Sequence, residues 1–182
     1  MTLIMGRPSL PLDALSLAVA AQEPDPEFYR SVVPALWAAA LRYGVDPLAM
    51  VAQSAHETGW GRFGRAASAW HRNTCGLKVR DLDAVLALLP PGATSEHPLC
   101  HAQFADWAAG AEAHAQHLRA YCQVPFADTV TDPRYRVVTS INASTRRPPA
   151  VRLADLDPWA GRAGYGASLE QVADRLLRAA GA

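Results

Sequence analysis

The stretch that most constrains the fold runs from Asp46 to Gly59 and is small and apolar along most of its length. Asp46 is a favourable N-cap, and Pro47 suits the first position of a helix. A glycine such as Gly59 commonly ends one. A helix with apolar residues on nearly every side is normally buried. The sequence therefore predicts a short central helix from Pro47 to about Thr58, with other helices packed around it.

One carboxylate, that of Glu57, falls in the last turn of this predicted helix, just before Trp60. The negative end of the helix dipole and the apolar surroundings both disfavour the ionised form, so we expect a raised pKa for Glu57. A carboxylic acid that keeps its proton near neutrality can protonate a leaving group. Glu57 is therefore the candidate general acid. The alternative is a surface glutamate at a helix end that makes only local pairs.

Helical periodicity continues through much of the chain, so the predicted fold is mostly α-helical. We predict helices over Leu12–Gln22, from Asp25 and Pro26 to Gly44 with a kink or break at Pro34, over 81–89, over Trp107–Tyr121 after an Asp106 cap, and at the C-terminus behind a Ser168–Gln171 capping box. Residues 134–141 fit either a helix or a strand. Residues 95–104 are weakly patterned and leave room for an extended arm or a small β-hairpin. We treat 1–182 as one domain, with a leader helix in 1–24 and a core in 25–182.

Composition excludes several classes of function. With 17 basic and 17 acidic residues the formal net charge is zero, so no basic excess indicates a nucleic-acid partner. No apolar run is long enough to predict a membrane-spanning helix. Pro8, Pro11 and Asp13 interrupt the N-terminal apolar stretch, so we interpret it as a leader helix and predict no signal peptide. Synthesis in the cytoplasm is the expectation that follows.

Cysteine and histidine patterns offer alternatives that we weigh against Glu57. The three cysteines predict reduced thiols, although a Cys75–Cys100 bridge is conceivable. Cys75 also leaves a cysteine amidase as a minor alternative, but it lacks a helix N-terminus to activate it. His56-Glu57 is not a zinc-protease motif, because Trp60 stands where the second histidine is needed. His114 and His117 share a predicted helix and are interpreted as packing residues, so we predict no metal site.

Four separated segments, in the right order, resemble the signature of the bacterial glucosaminidases, glycoside hydrolase family 73. They are AQSAHETGWGRFG, NTCGLKV, CHAQFADWAAGAEAHAQHL and WAGRAGYGASLEQVADRLL. The resemblance extends from about Glu27 to Leu177. It implies a lysozyme-like helical domain with a cleft, Glu57 as the general acid, and no cofactor. It also favours a helix over a strand for 134–141.

The resemblance also implies candidates for the other site residues. The family's second acid comes from the interval before the Phe-containing segment, where Glu96 is the candidate. If the substrate's own acetamido group assists instead, Tyr165 would orient that group or stabilise developing charge. Substrate contacts are expected from five residues: Trp60, Phe63, Asn73, Lys78 and Trp159. Trp60 and Phe63 could instead be core residues, as could Trp70, and an ordering role is also open for Asn73.

The implied reaction is hydrolysis of the β-1,4 bond between N-acetylglucosamine and N-acetylmuramic acid, with peptidoglycan strands as the partner of a monomeric enzyme. Two alternatives stay open: a muramidase using the same acid, and a non-catalytic cell-wall-binding or phage structural protein. The protein would act on the wall as a phage lysin, or as a wall-remodelling module exported by a non-classical route.

Overall fold

The computed structural model describes residues 1–63 and 69–182. Residues 64–68 lie outside this description. The described chain is mostly α-helical, as predicted for a lysozyme-like domain. Its α-helices are α1 (Leu12–Ala20), α2 (Val33–Tyr43), α3 (Pro47–Thr58), α4 (Leu82–Ala87), α5 (Trp107–Cys122), α6 (Tyr135–Thr145), α7 (Asp157–Ala160) and α8 (Tyr165–Ala179). None of these helices is long and apolar enough to cross a membrane.

The predicted central helix is present as α3. Asp46 caps it by accepting a hydrogen bond from the Leu48 amide at 3.0 Å, and Gly59 ends it in a left-handed conformation with φ +58°. Residues 47–55 are all buried, and the helix packs against α2 and α8. The local capping signals and the apolar composition thus predicted both the bounds and the burial of α3 correctly.

The longest of the described helices is α5. Asp106 caps it, as predicted, through a 2.8 Å hydrogen bond from the Ala109 amide to its carboxylate. α5 packs against α2 and α6, and its Gly110 lies directly against the chain at Arg72. A Cβ at Gly110 would sit 1.9 Å from the Arg72 carbonyl oxygen, so only glycine allows this approach. The loop that follows Arg72 is therefore held against α5.

Two helix starts differ from simple expectation. A π-helical segment over Phe28–Val32 leads directly into α2, and Pro34 occupies the first turn of α2. The irregularity therefore lies just before the proline, and the helix is not broken at Pro34. The predicted Ser168–Gln171 capping box is wrong, because α8 begins one turn earlier, at Tyr165. The carboxylate of Asp157 accepts hydrogen bonds from the amides of Gly164 (3.1 Å) and Gly166 (2.8 Å) at this start.

Residues 95–104 form neither an extended arm nor a regular hairpin. A 3₁₀ turn covers Pro98–Cys100, and beyond it His101 makes an isolated antiparallel bridge with Lys78. The ambiguous run 134–141 is helical, within α6. All three cysteines are free and buried, so the conceivable Cys75–Cys100 bridge is not formed.

Candidate active site

Glu57 lies half-buried in the last turn of α3. The hydroxyl of Tyr165, the first residue of α8, donates a hydrogen bond to Oε1 of Glu57. Burial raises the pKa of Glu57 above its ordinary value, while the Tyr165 hydrogen bond and the positive charges of Arg162 and Lys78 oppose the rise. The net change is upward. This carboxyl therefore keeps its proton to higher pH than a solvated glutamate.

The Tyr165 hydrogen bond also distinguishes the two carboxyl oxygens. Since Oε1 accepts the phenolic hydrogen, the proton of the neutral acid is favoured on Oε2. Oε2 lies beside Gly76, where a Cβ would be 3.5 Å away. The φ of Gly76 is +68°, in the region that favours glycine. The oxygen that would carry the proton therefore faces a backbone without a side chain.

Behind Tyr165, a buried series of hydrogen bonds runs through three further side chains. Nε2 of Gln53 donates to the Tyr165 hydroxyl at 2.9 Å, and Oε1 of Gln53 is 2.9 Å from Nε2 of His114. An amide oxygen can only accept, so this histidine nitrogen carries the hydrogen. Thr74 Oγ1 lies 3.2 Å from the other nitrogen, Nδ1, and donates to it. The series leaves the Tyr165 hydrogen free to point at Glu57.

The neutral state of His114 gives a prediction about stability. Burial lowers the pKa of His114 to about 3, assisted by the charge of His117, from an ordinary value of 6.5. Above pH 6.5 the histidine is neutral in both the folded and the unfolded protein, so it does not lower the free energy of unfolding. As the pH falls from 6.5 towards 3, only the unfolded protein binds the proton, so the free energy of unfolding falls. We expect His114→Gln to reduce the acid-induced loss of unfolding free energy by up to about 1.4 kcal/mol per pH unit. Urea denaturation of both proteins between about pH 7 and pH 4 measures this, and equal pH slopes would contradict it.

Asn73 holds the loop that borders the acid. Its Nδ2 donates to the carbonyl oxygens of Leu77 (2.8 Å) and Ala102 (3.0 Å), and its Oδ1 accepts from the Leu77 amide at 3.0 Å. The residue is 1% exposed, so these polar atoms are used inside the protein. The structure gives Asn73 the ordering role that was left open, and its contact with substrate stays a prediction.

Lys78 and Glu96 form a second charged group near the acid. Nζ of Lys78 donates to the Ser95 carbonyl at 2.8 Å and lies 3.1 Å from Oε1 of Glu96. The Glu96 side chain is 67% exposed. Both charges are close enough to influence the pKa of Glu57, Lys78 lowering it and Glu96 raising it. The predicted second carboxylate, Glu96, is thus paired with the predicted binding lysine, Lys78, and the charges of both influence Glu57.

Trp60 and Phe63 occupy packing positions. The Trp60 ring meets Phe28 edge to face at 6.3 Å, and Phe63 stacks on Trp107 at 6.1 Å. Both are half-buried and border the main hydrophobic core. These contacts account for the two rings as core aromatics, and their contact with sugar stays a prediction. Trp70, in contrast, is 52% exposed.

Trp159 packs against two aromatic side chains of α5. Its ring meets His117 edge to face at 4.5 Å and is tilted against Tyr121 at 5.4 Å. It lines a cavity of about 340 Å³ whose lining also includes Gly76 and Lys78. This cavity connects a predicted sugar-contacting ring with the backbone beside the acid.

Several site residues were missed by sequence reasoning. His114 was interpreted as a packing residue, although its ring links Gln53 to Thr74. The available signal was Gln53, a polar residue in a buried helix, one turn before Glu57. The partners of Gln53, His114 and Tyr165, could not be found from spacing because they are distant from it in sequence.

The alternative chemistries gain no support. Burial, with the nearby charge of Glu57, raises the pKa of the Cys75 thiol well above its ordinary value, which disfavours the thiolate that a cysteine amidase needs. Within residues 1–63 and 69–182, no group of three or more His, Cys, Asp or Glu side chains is arranged to hold a metal ion.

Comparison with known proteins identifies the family. Searches of curated proteins and of solved structures return no match. The sequence model described as Glucosaminidase, mannosyl-glycoprotein endo-beta-N-acetylglucosaminidase, matches residues 33–177. That span runs from the start of α2 into α8 and contains Glu57, Tyr165 and the hydrogen-bonded residues behind them. The chain therefore belongs to the glucosaminidase family.

Proposed function

We propose that this protein cleaves the β-1,4 bond between N-acetylglucosamine and N-acetylmuramic acid in peptidoglycan, with Glu57 as the general acid. Membership of the glucosaminidase family supports peptidoglycan hydrolysis in general. The observation that supports the choice of acid is the state of Glu57: half-buried, raised in pKa, bonded at Oε1 by Tyr165, and with Oε2 beside Gly76. Cell-wall lysis by a phage, or wall remodelling after non-classical export, is the proposed setting.

In the proposed first step, Oε2 of Glu57 gives its proton to the glycosidic oxygen as the bond to the anomeric carbon breaks. Tyr165 continues to donate to Oε1 and stabilises the carboxylate that forms. Water then adds a hydroxyl to the anomeric carbon and gives its proton to a base. Where that base is not Glu57 itself, Glu57 regains its proton from solvent. Glycosidases of this kind develop positive charge on the sugar ring, which a nearby carboxylate favours.

Two routes for the water step remain as candidates. Glu96 would act as the base that removes the proton from water, because its carboxylate is exposed and held by Lys78. Alternatively the substrate's acetamido oxygen attacks the anomeric carbon as the glycosidic bond breaks, and water then opens the resulting ring and gives its proton to the Glu57 carboxylate, as in substrate-assisted glycosidases. The Glu96→Gln variant separates them. A loss in kcat of about 10²-fold or more supports the base, and a near-wild-type kcat supports the acetamido route.

The new reducing ends of digested peptidoglycan test the proposed bond. Borohydride reduction followed by sugar analysis should show N-acetylglucosamine at the new ends. Ends of N-acetylmuramic acid would instead identify a muramidase that uses the same acid. Binding to walls with no new reducing ends of either kind would identify a non-catalytic wall-binding protein and overturn the proposal.

A further inference from the structure

The cavity lined by Trp159 is positively charged. It lies between the loop 75–78, α5, α6 and the turn at 158–161, and its volume of about 340 Å³ falls within the range of about 300–1,000 Å³ of small-ligand sites. Its lining includes Lys78, Arg134 and Arg147, and among its described lining residues there is no aspartate or glutamate. We call it the arginine cavity.

Both arginines are anchored to α5. The amide of Arg134 donates to Oδ1 of Asp132 at 2.8 Å, and Oδ2 of this buried carboxylate is 2.6 Å from Nδ1 of His117 on α5. Nη1 of Arg147 donates to Oδ1 of Asn142 at 3.3 Å, and the Asn142 amide donates to a carbonyl oxygen of α5 at 2.9 Å. The fold therefore holds these two positions in place on one side of the cavity.

The Arg147 guanidinium lies beside Tyr121, which lines the same cavity as both arginines. The Arg147 guanidinium carbon is 5.9 Å from the centre of the Tyr121 ring. Burial raises the pKa of the Tyr121 hydroxyl, and the charges of Arg147 and Arg134 both oppose this rise. In the part of the chain that the structure describes, neither guanidinium forms an ion pair with a carboxylate. Their charge remains available to a ligand.

The cavity and the acid share one element of the wall. Gly76 lines the cavity, and the same residue lies against Oε2 of Glu57. Lys78, two residues further on, lines the cavity and influences the pKa of Glu57. A glycan with its scissile bond at Glu57 would therefore bring the neighbouring substituents towards the arginines.

We propose that the arginine cavity binds a carboxylate-bearing substituent of the glycan, next to the bond being cut. This inference rests on the proposed function. Chains of N-acetylated sugars have no charge of their own, so in peptidoglycan the carboxylates belong to the peptide stems or, where the stem is missing, to the lactyl group of the muramic sugar. Arginine recognises carboxylates with two parallel hydrogen bonds, and Arg134 and Arg147 provide such donors.

Hydrolysis of three substrates by the full chain tests this. The substrates are soluble peptidoglycan strands with peptide stems, the same strands after an amidase has removed the stems, and uncharged N-acetylglucosamine oligomers. For a peptide-binding cavity, Arg134→Gln with Arg147→Gln should raise KM about tenfold or more on strands with stems, at nearly unchanged kcat. For a lactyl-binding cavity the rise should occur on the stripped strands instead, because the stem holds the lactyl carboxyl as an uncharged amide. Uncharged oligomers should change less than about twofold in either case.

Arg178→Gln is the control, because it removes one arginine charge from the exposed last turn of α8, about 20 Å along the helix from Tyr165. It should leave all three KM values unchanged. A double variant whose KM values change equally on charged and uncharged substrates, or not at all, would overturn the cavity proposal. If wild type cuts none of the substrates, the proposed function itself fails. Binding of stem-bearing fragments to Glu57→Gln, followed by NMR of the arginine Nε–H groups, then still tests the cavity.

Discussion

Replacing Glu57 by glutamine should lower kcat by about 10²–10⁴-fold while the protein stays folded. Glutamine has nearly the same shape and can still accept the Tyr165 hydrogen bond through its amide oxygen. It has no acidic proton for the leaving group. It also removes a desolvated carboxyl, so the unfolding free energy should be unchanged or slightly higher. Release of soluble fragments from purified cell walls measures activity, and thermal unfolding measures stability.

Glu23→Gln serves as the control for this experiment, because it removes an exposed carboxylate outside the site. We expect wild-type activity from it. Wild-type lysis by Glu57→Gln would remove the catalytic role of Glu57. A variant that unfolds would be replaced by Glu57→Asp, which keeps the acid but withdraws it by one methylene and should also lose most of kcat.

Gly110→Ala should produce the largest loss of stability. The new Cβ would lie 1.9 Å from the Arg72 carbonyl oxygen, a backbone atom that can move only with its loop. We expect a cost of about 3 kcal/mol or more, despite alanine's better helix propensity, which corresponds to a fall in Tm of about 6–12 °C. Activity should fall as well, because the displaced chain continues into Asn73 and Gly76 beside the acid.

Ala108→Ser provides the comparison, as an exposed substitution in the same helix. Its effect should lie within about 0.5 kcal/mol. If Gly110→Ala matches wild type in Tm, the loop does not rest on α5 at Arg72, and the position assigned to Gly76 beside Glu57 loses its support.

Local signals predicted the helices well. The Asp46 and Asp106 side chains both cap helices as expected, and the all-round apolar character of 47–55 corresponds to burial. The error at α8 has a clear cause. Ser168 donates its hydroxyl back to the Gly164 carbonyl at 3.0 Å, while the cap comes from Asp157, which no short-range pattern connects to this helix.

The site could be predicted only in part. Glu57 was indicated by its place in the predicted helix as well as by the resemblance, and Tyr165 by the resemblance alone. The two meet although 108 residues separate them. Gln53 and His114 are 61 residues apart, and neither belongs to a recognisable motif on its own. Polar residues buried on separate helices become a network only when the helices pack. The sequence therefore indicated the acid and its neighbour but not the residues that orient them.

The pH dependence of kcat/KM on soluble glycan strands, compared between wild type and Tyr165→Phe, tests the central claim most directly. Activity should fall as the pH rises through the pKa of Glu57, at a midpoint above the ordinary 4.5. Tyr165→Phe removes a hydrogen bond that lowers this pKa, so its midpoint should move to still higher pH. A midpoint that stays in place or moves to lower pH in the variant would contradict Glu57 as the proton donor held by Tyr165.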